Sequence, residues 1–197
     1  MKSLGENILH VIDNSTNEED VILKGTLVKA MQEMVENEHG QNMWQRIIET
    51  SMLGDDFDVN ILADVEDEKF KNLLNTTAEV LDISKKEAMD RFAHYFILEY
   101  ALDTFAINMY FSQSDSAREF LLKMDDVHRR LTKNIDDASP PRFDYEKKDD
   151  GSLLMTYNSE RGMFELFKSL AEAVGEYFND DLRIREAGKN TVEIKFS

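Results

Sequence analysis

Two short stretches hold the side chains best suited to chemistry. In Met124-Asp125-Asp126-Val127-His128, a period of 3.6 sets Met124, His128, Leu131 and Ile135 on one helical face with Val127 beside them, while Asp125, Asp126, Arg129, Arg130 and Lys133 point elsewhere. An imidazole turned toward an apolar interior needs partners for its nitrogens, either a buried hydrogen bond or a metal centre. Taken alone, the hydrogen-bonded core histidine is the commoner solution. In Tyr157-Asn158-Ser159-Glu160-Arg161, a phenol, an alcohol and a guanidinium follow one another where a strand turns into a helix. Such donors can converge on carboxylates, which suits a dianionic ligand, and an arginine near a helix N-terminus adds its charge to the positive end of the dipole. The same three residues also read as a strand tyrosine, an N-cap serine and a surface charge.

The elements that must position these residues fall into two halves. Leu27, Ala30, Met31, Met34 and Val35 mark a first helix that ends near Gly40, and Met43, Trp44, Ile47, Ile48 and Met52 mark a second that stops at Gly54-Asp55-Asp56. After an acidic connection from Val59 to Glu68, Phe70, Leu73, Leu74, Ala78 and Leu81 predict a third. Ser84-Lys85-Lys86-Glu87 reads as a capping box ahead of an apolar face made by Ala88, Phe92, Ala93, Phe96, Ile97 and Tyr100. Phe105 to Phe111 continues the apolar material, and the His128 helix follows the loop from Ser112 to Ser116. Pro140 and Pro141 close the helical half. Beyond them, Phe143 to Lys147 and Leu153 to Tyr157 predict a hairpin, about Glu160 to Phe178 a long helix, and Leu182 to Ala187 with Thr191 to Phe196 a second hairpin. Helices first, then a small antiparallel sheet with one long helix, is an α+β arrangement.

Composition removes several function classes. The 197 residues carry a formal charge of −17, which disfavours nucleic acid and anionic membrane as partners. No apolar run approaches membrane-spanning length and the first twenty residues are too acidic for a signal peptide, so a cytoplasmic protein is expected. With no cysteine, disulfides, thiolate catalysis and cysteine-based metal sites drop out together. No serine elbow or phosphate-binding loop completes a catalytic set, so no enzyme is expected. His10, His39 and His94 lack spacing to other ligands, and the acidic runs Glu66 to Glu68 and Asp149-Asp150 read as solvated faces.

Together these stretches resemble the H-NOX family, the haem-binding nitric oxide and oxygen sensor domain also found in soluble guanylate cyclases. The resemblance is carried by M-D-D-V-H followed by Leu131-Thr132-Lys133, by Ser139-Pro140-Pro141-Arg142, and by the order and spacing of Tyr157, Ser159 and Arg161. It runs from about Leu23, where Lys24-Gly25 looks like the family's usual beginning, to the last strand. It implies an N-terminal extension at 1–22 and a sensor domain at 23–197, with haem b between the helical part and the sheet. His128 would be the proximal iron ligand, Tyr157, Ser159 and Arg161 the clamp on the haem propionates, and Pro141 the residue that presses on the macrocycle and bends it.

Oxygen-binding members of the family carry a tyrosine nine residues after the first tyrosine of the clamp, and here Leu166 stands there. The same alignment puts Met31 and Phe96 where supporting polar residues would stand, so Leu27, Met31, Phe96, Leu166 and Leu170 are the expected wall residues. Bound oxygen without a donor loses a charge-assisted hydrogen bond, whereas nitric oxide and carbon monoxide depend far less on one. The resemblance therefore implies a sensor that binds nitric oxide and carbon monoxide at ferrous haem and excludes oxygen. Its signal would pass in trans to a separate partner such as a histidine kinase or a cyclic-di-GMP enzyme. The competing expectation is a haem-free interaction module with the same fold and His128 as a satisfied core residue.

Overall fold

The computed structural model describes residues 22–53, 57, 65–133 and 140–197. The expected extension, the turn at Gly54, most of the acidic connection, Ile135 and Ser139 lie outside the described residues.

The helical half follows the apolar spacing closely. Helix α1 spans Ile22–His39 and ends where Gly40 takes φ 84°, its N–H donating to the Glu36 carbonyl at 2.9 Å. Helix α2, Gln41–Ser51, buries Trp44 and Ile47 and ends one residue before the expected apolar stripe does. Met52 adopts the left-handed cap conformation and is 91% exposed, so it leaves the core face to which its spacing assigned it. Helix α3, Asp67–Leu81, buries Phe70, Leu73, Leu74 and Ala78.

Helix α4 spans Lys85–Tyr95, and Ser84 caps it by accepting the Glu87 N–H at 3.1 Å. The Glu87 carboxylate accepts instead from Arg91 at 2.7 Å, so half of the expected capping box forms. The apolar run beyond does not continue as one α-helix. It passes into a π-helix, Phe96–Tyr100, a single turn α5, Ala101–Asp103, and after an extended Thr104 into α6, Phe105–Ser112. Helix α7, Ala117–Leu131, is capped by Ser116, whose hydroxyl accepts the Glu119 N–H at 3.2 Å.

The second half is a four-stranded sheet with one long helix. Strands β1 (Arg142–Lys147), β2 (Leu153–Asn158), β3 (Leu182–Gly188) and β4 (Thr191–Phe196) lie in the order β1-β2-β4-β3, every neighbouring pair antiparallel. The register sets Phe143 opposite Tyr157 and Leu153 opposite Ile194. Helix α8, Phe164–Phe178, starts later than its composition suggests, because Gly162 at φ 67° and Met163 hold the preceding residues in a turn. Its Gly175 is dictated by packing, since a Cβ there would lie 2.5 Å from the Leu182 side chain.

One core joins both halves. Met31, Phe92, Phe111 and Leu121 of the helices and Leu153, Met155 and Ile194 of the sheet are all essentially inaccessible to solvent. Helix α4 packs on α8, α7 on both β1 and α8, and the π-helix on both α1 and α8. The architecture is the expected α+β.

Candidate functional site

His128 sits in the last turn of α7, half-buried, and its Nδ1 donates to the Met124 carbonyl at 2.9 Å. A carbonyl can only accept, so Nδ1 carries the proton and Nε2 keeps its lone pair. Burial pushes the imidazole pKa down, aided by the Arg161 charge and opposed by the Met124 bond and the Asp125 carboxylate. The side chain is therefore neutral, with Nε2 given no partner among the described residues. The ring nevertheless keeps some accessible surface. The same holds for the half-buried Met124 and Leu131 of its own helix.

The segment after α7 returns beside His128 through β1. Pro141 is buried, and Phe143 lies 5.5 Å from the His128 ring, centroid to centroid. Asp125, nearly one turn before His128, receives both Nε and Nη2 of Arg142 at 2.7 Å and the Phe143 N–H at 3.0 Å. These bonds, the arginine's first, hold the Asp125 carboxyl down at about 2. The Tyr145 hydroxyl accepts the Asp125 N–H at 3.0 Å, and burial raises the phenol to about 12.

Of the three donors expected to act together, Tyr157 is in β2 and Ser159 and Arg161 are in the turn before α8. Tyr157 is buried, stacked on Phe167 at 5.7 Å and edge-on to Phe143 at 5.8 Å, so an aromatic chain links it to His128. The Ser159 hydroxyl accepts the Arg161 N–H at 3.2 Å, which shapes the turn. Arg161 lies three residues before the start of α8, in the turn that leads into it. Its guanidinium instead meets Asp67 of α3 at 2.8 Å and 2.6 Å, with the arginine side chain 17% exposed. Asp67, expected on a solvated face, is thus the carboxylate that aims Arg161.

The five wall residues come from elements in contact. Leu27 and Met31 are on α1, Phe96 opens the π-helix, and Leu166 and Leu170 are one turn apart on α8. Met31 and Leu166 are buried; Leu27, Phe96 and Leu170 retain accessible surface. Phe96 is stacked on Tyr100 at 6.0 Å and leans on Phe92 at 5.8 Å. Met31 has a polar neighbour, the Thr77 hydroxyl, 3.8 Å from its sulfur.

The donor set fits a haem. Among the described residues no three of His, Asp and Glu gather into a metal cage, so a metal at His128 must bring most of its ligands with it, as a macrocycle does. A neutral imidazole is a normal axial ligand, and a phenol and a guanidinium suit carboxylates. His39, exposed near Glu38, and His94, exposed and 3.3 Å from Glu176, are surface residues. Sequence spacing missed Asp67, Phe143, Tyr145 and Arg142 as parts of this region. Only Arg142, next to the proline pair, has a neighbour in sequence that could have drawn attention to it.

One neutral, half-buried imidazole, with a phenol, an alcohol and a guanidinium on the adjoining strand and turn, suits a cofactor that brings its own ligands better than a protein-only metal site. Comparison with known proteins agrees: the haem-NO-binding family model matches residues 24–186. The chain therefore belongs to the haem-NO-binding, or H-NOX, family of haem-based gas-sensor domains. It is 21% identical over 159 residues to soluble guanylate cyclase gcy-35 of Caenorhabditis elegans, a match that takes in 79% of this chain and 23% of that protein. The chain thus spans about a quarter of the length of that relative. An H-NOX protein from S. oneidensis in the Fe(II)NO state shares the fold at a TM-score of 0.77 and 15% identity, over 89% of this chain and 99% of that one. An oxygen-binding H-NOX domain related to soluble guanylate cyclases, in its oxygen complex, does so at 0.73 and 24%, over 88% and 95%. No described helix is long and apolar enough to cross a membrane.

Proposed function

We propose that this domain binds haem b through His128 and responds to nitric oxide and carbon monoxide while excluding oxygen. The observation that carries the proposal is the His128 tautomer: with Nδ1 committed to the Met124 carbonyl, Nε2 is left as an unprotonated atom able to ligate a metal. Haem iron held there would supply an open coordination position for a diatomic gas. Tyr157, Ser159 and Arg161 would hold the propionates, Arg161 already aimed by Asp67, and buried Pro141 would press on the macrocycle with a ring that cannot yield. Leu27, Met31, Phe96, Leu166 and Leu170 would form the opposite wall. All five are apolar, and none offers a polarised oxygen ligand the donor it needs.

The output is a change in how α7 sits against β1, read in trans by a separate cytoplasmic protein such as a histidine kinase or a cyclic-di-GMP enzyme. Such a response is a two-state equilibrium biased by a ligand that favours one state. The test is an absorption spectrum of purified, haem-reconstituted, reduced protein. The spectrum is expected to change on adding nitric oxide or carbon monoxide and to show no oxygen complex on brief exposure to air. A stable oxygen complex would overturn the selectivity. Failure to take up haem would leave the haem-free interaction module, a reading supported by the Arg161–Asp67 pair, which satisfies Arg161 without any ligand.

A further inference from the structure

We propose that Asp125 is a positioning residue that sets the spacing between His128 and Pro141, an inference that rests on the haem role proposed for His128. The two residues are thirteen apart in sequence, one on α7 and the other just before β1, so the gap between them depends on the contacts between those elements. Asp125 spans it directly. Its backbone is in α7, three residues before His128 and hence on the adjoining part of the same helix surface. Its carboxylate takes Nε and Nη2 of Arg142, the residue following Pro141, each at 2.7 Å, and the N–H of Phe143 at 3.0 Å. The Tyr145 hydroxyl, two residues further along β1, accepts the Asp125 N–H at 3.0 Å. Four hydrogen bonds at one residue therefore tie the imidazole's helix to the strand that carries the proline. Phe143 completes the connection by lying against the His128 ring at 5.5 Å.

The neighbouring aspartate shows that this is not a general property of the acidic pair. Asp126 pairs with Arg129 and, at 2.6 Å, with Arg130, both on its own helix, so among the described residues its charge joins α7 to no other element. A forked guanidinium gripping a carboxylate fixes orientation as well as distance, which a single contact would not do. The side chains are 24% exposed for Asp125 and 54% for Arg142, so the tie is a geometric constraint more than a large source of stability. Loosening it frees α7 to move against β1 and changes how hard His128 can pull against a group pressed by Pro141.

The experiment compares the wild type with Asp125→Asn, Arg142→Lys and Asp126→Asn in the full chain. In the reduced, haem-loaded proteins the iron-histidine stretching band is recorded by resonance Raman, and the rate of histidine release on adding nitric oxide by stopped-flow absorption. In the haem-free proteins, hydrogen exchange of the Phe143 amide is followed. Asp125→Asn and Arg142→Lys are expected to shift the stretching band, change the release rate about fivefold and speed Phe143 exchange, whereas Asp126→Asn matches the wild type. Arg142→Lys keeps the charge and loses the fork, so it carries the test should Asp125→Asn fail to fold. An unchanged band and release rate in haem-loaded Arg142→Lys overturn the positioning role and leave the haem reading intact. A wild type that takes up no haem overturns both.

Discussion

The seam between α7 and β1 and the wall formed by α1, the π-helix and α8 are built from opposite materials. Along the seam, Asp125, Arg142, the Tyr145 hydroxyl and the Met124 carbonyl hold the helix and the His128 ring by directed bonds. Along the wall, Leu27, Met31, Phe96, Leu166 and Leu170 are held by packing. Directed bonds fix distance and angle, which a metal ligand requires. Apolar packing fixes volume and withholds hydrogen bonds, which is how a site can refuse a polarised ligand without being closed. Under the proposed function, the first region would govern how the cofactor is held and the second what can reach it.

The largest effect expected is at the seam. His128→Gly removes the imidazole proposed to hold the iron and should abolish the wild-type haem spectrum, with added imidazole restoring it. Unchanged absorption would place the iron elsewhere. On the wall, Leu166→Tyr introduces a hydroxyl where none stands. Haem-loaded variant protein is expected to retain bound oxygen in air, with release slowed about tenfold to a hundredfold, as follows from a charge-assisted hydrogen bond of about 1.5–3 kcal/mol. The buried position resists the larger ring, and a loss of about 1–3 kcal/mol in stability, measured by urea unfolding, accompanies it.

Arg161→Gln lies between the two regions. Haem transfer to an acceptor globin should be about tenfold faster than from the wild type. Asp67→Asn, which leaves the guanidinium in place but unaimed, should have a smaller effect; equal rates in the two variants would remove the propionate role from Arg161 and leave only the ion pair.

The smallest expected effect is on pH. The folded pKa of His128 is depressed, so the unfolded chain binds its proton first as pH falls. The stability of the haem-free protein is complete above the ordinary histidine value of 6.5 and is lost progressively below it. His128→Gln should flatten that part of the stability curve. Asp125 acts in the same direction further down, between its ordinary value of 3.8 and about 2.

Much of the fold was readable because most elements obey a local period. The buried faces of α1, α3, α7 and β2 follow the spacing of their apolar residues, whereas β4 buries Val192, Glu193 and Ile194 in succession. Where local spacing was overruled, the cause is identifiable. A left-handed cap turned Met52 outward, and Gly162 at φ 67° delayed α8 past Ser159, which otherwise has the chemistry of an N-cap. The π-helix from Phe96 to Tyr100 has no sequence marker in an apolar run. At the site, His128 was readable from its helical face, but its tautomer depends on a carbonyl distance that no sequence displays. Asp67 and Arg161 are 94 residues apart, and their meeting is a product of the tertiary fold alone. Asp125 was expected to point away from the His128 face, whereas it lies on the adjoining face and bonds Arg142 and the Phe143 amide of a strand whose position could not be read.

The order β1-β2-β4-β3 leaves β1 on an edge of the sheet. Tyr157, opposite Phe143, sends its N–H to Asn190, away from β1, so Phe143 directs its own N–H outward from the sheet. That outward amide is the one the Asp125 carboxylate accepts. An uncovered amide on an edge strand is a template on which a second chain can pair. The aspartate that ties two elements of the domain together therefore also covers a donor on the sheet edge. Variants that release it should be watched for self-association at high concentration as well as for altered spectra.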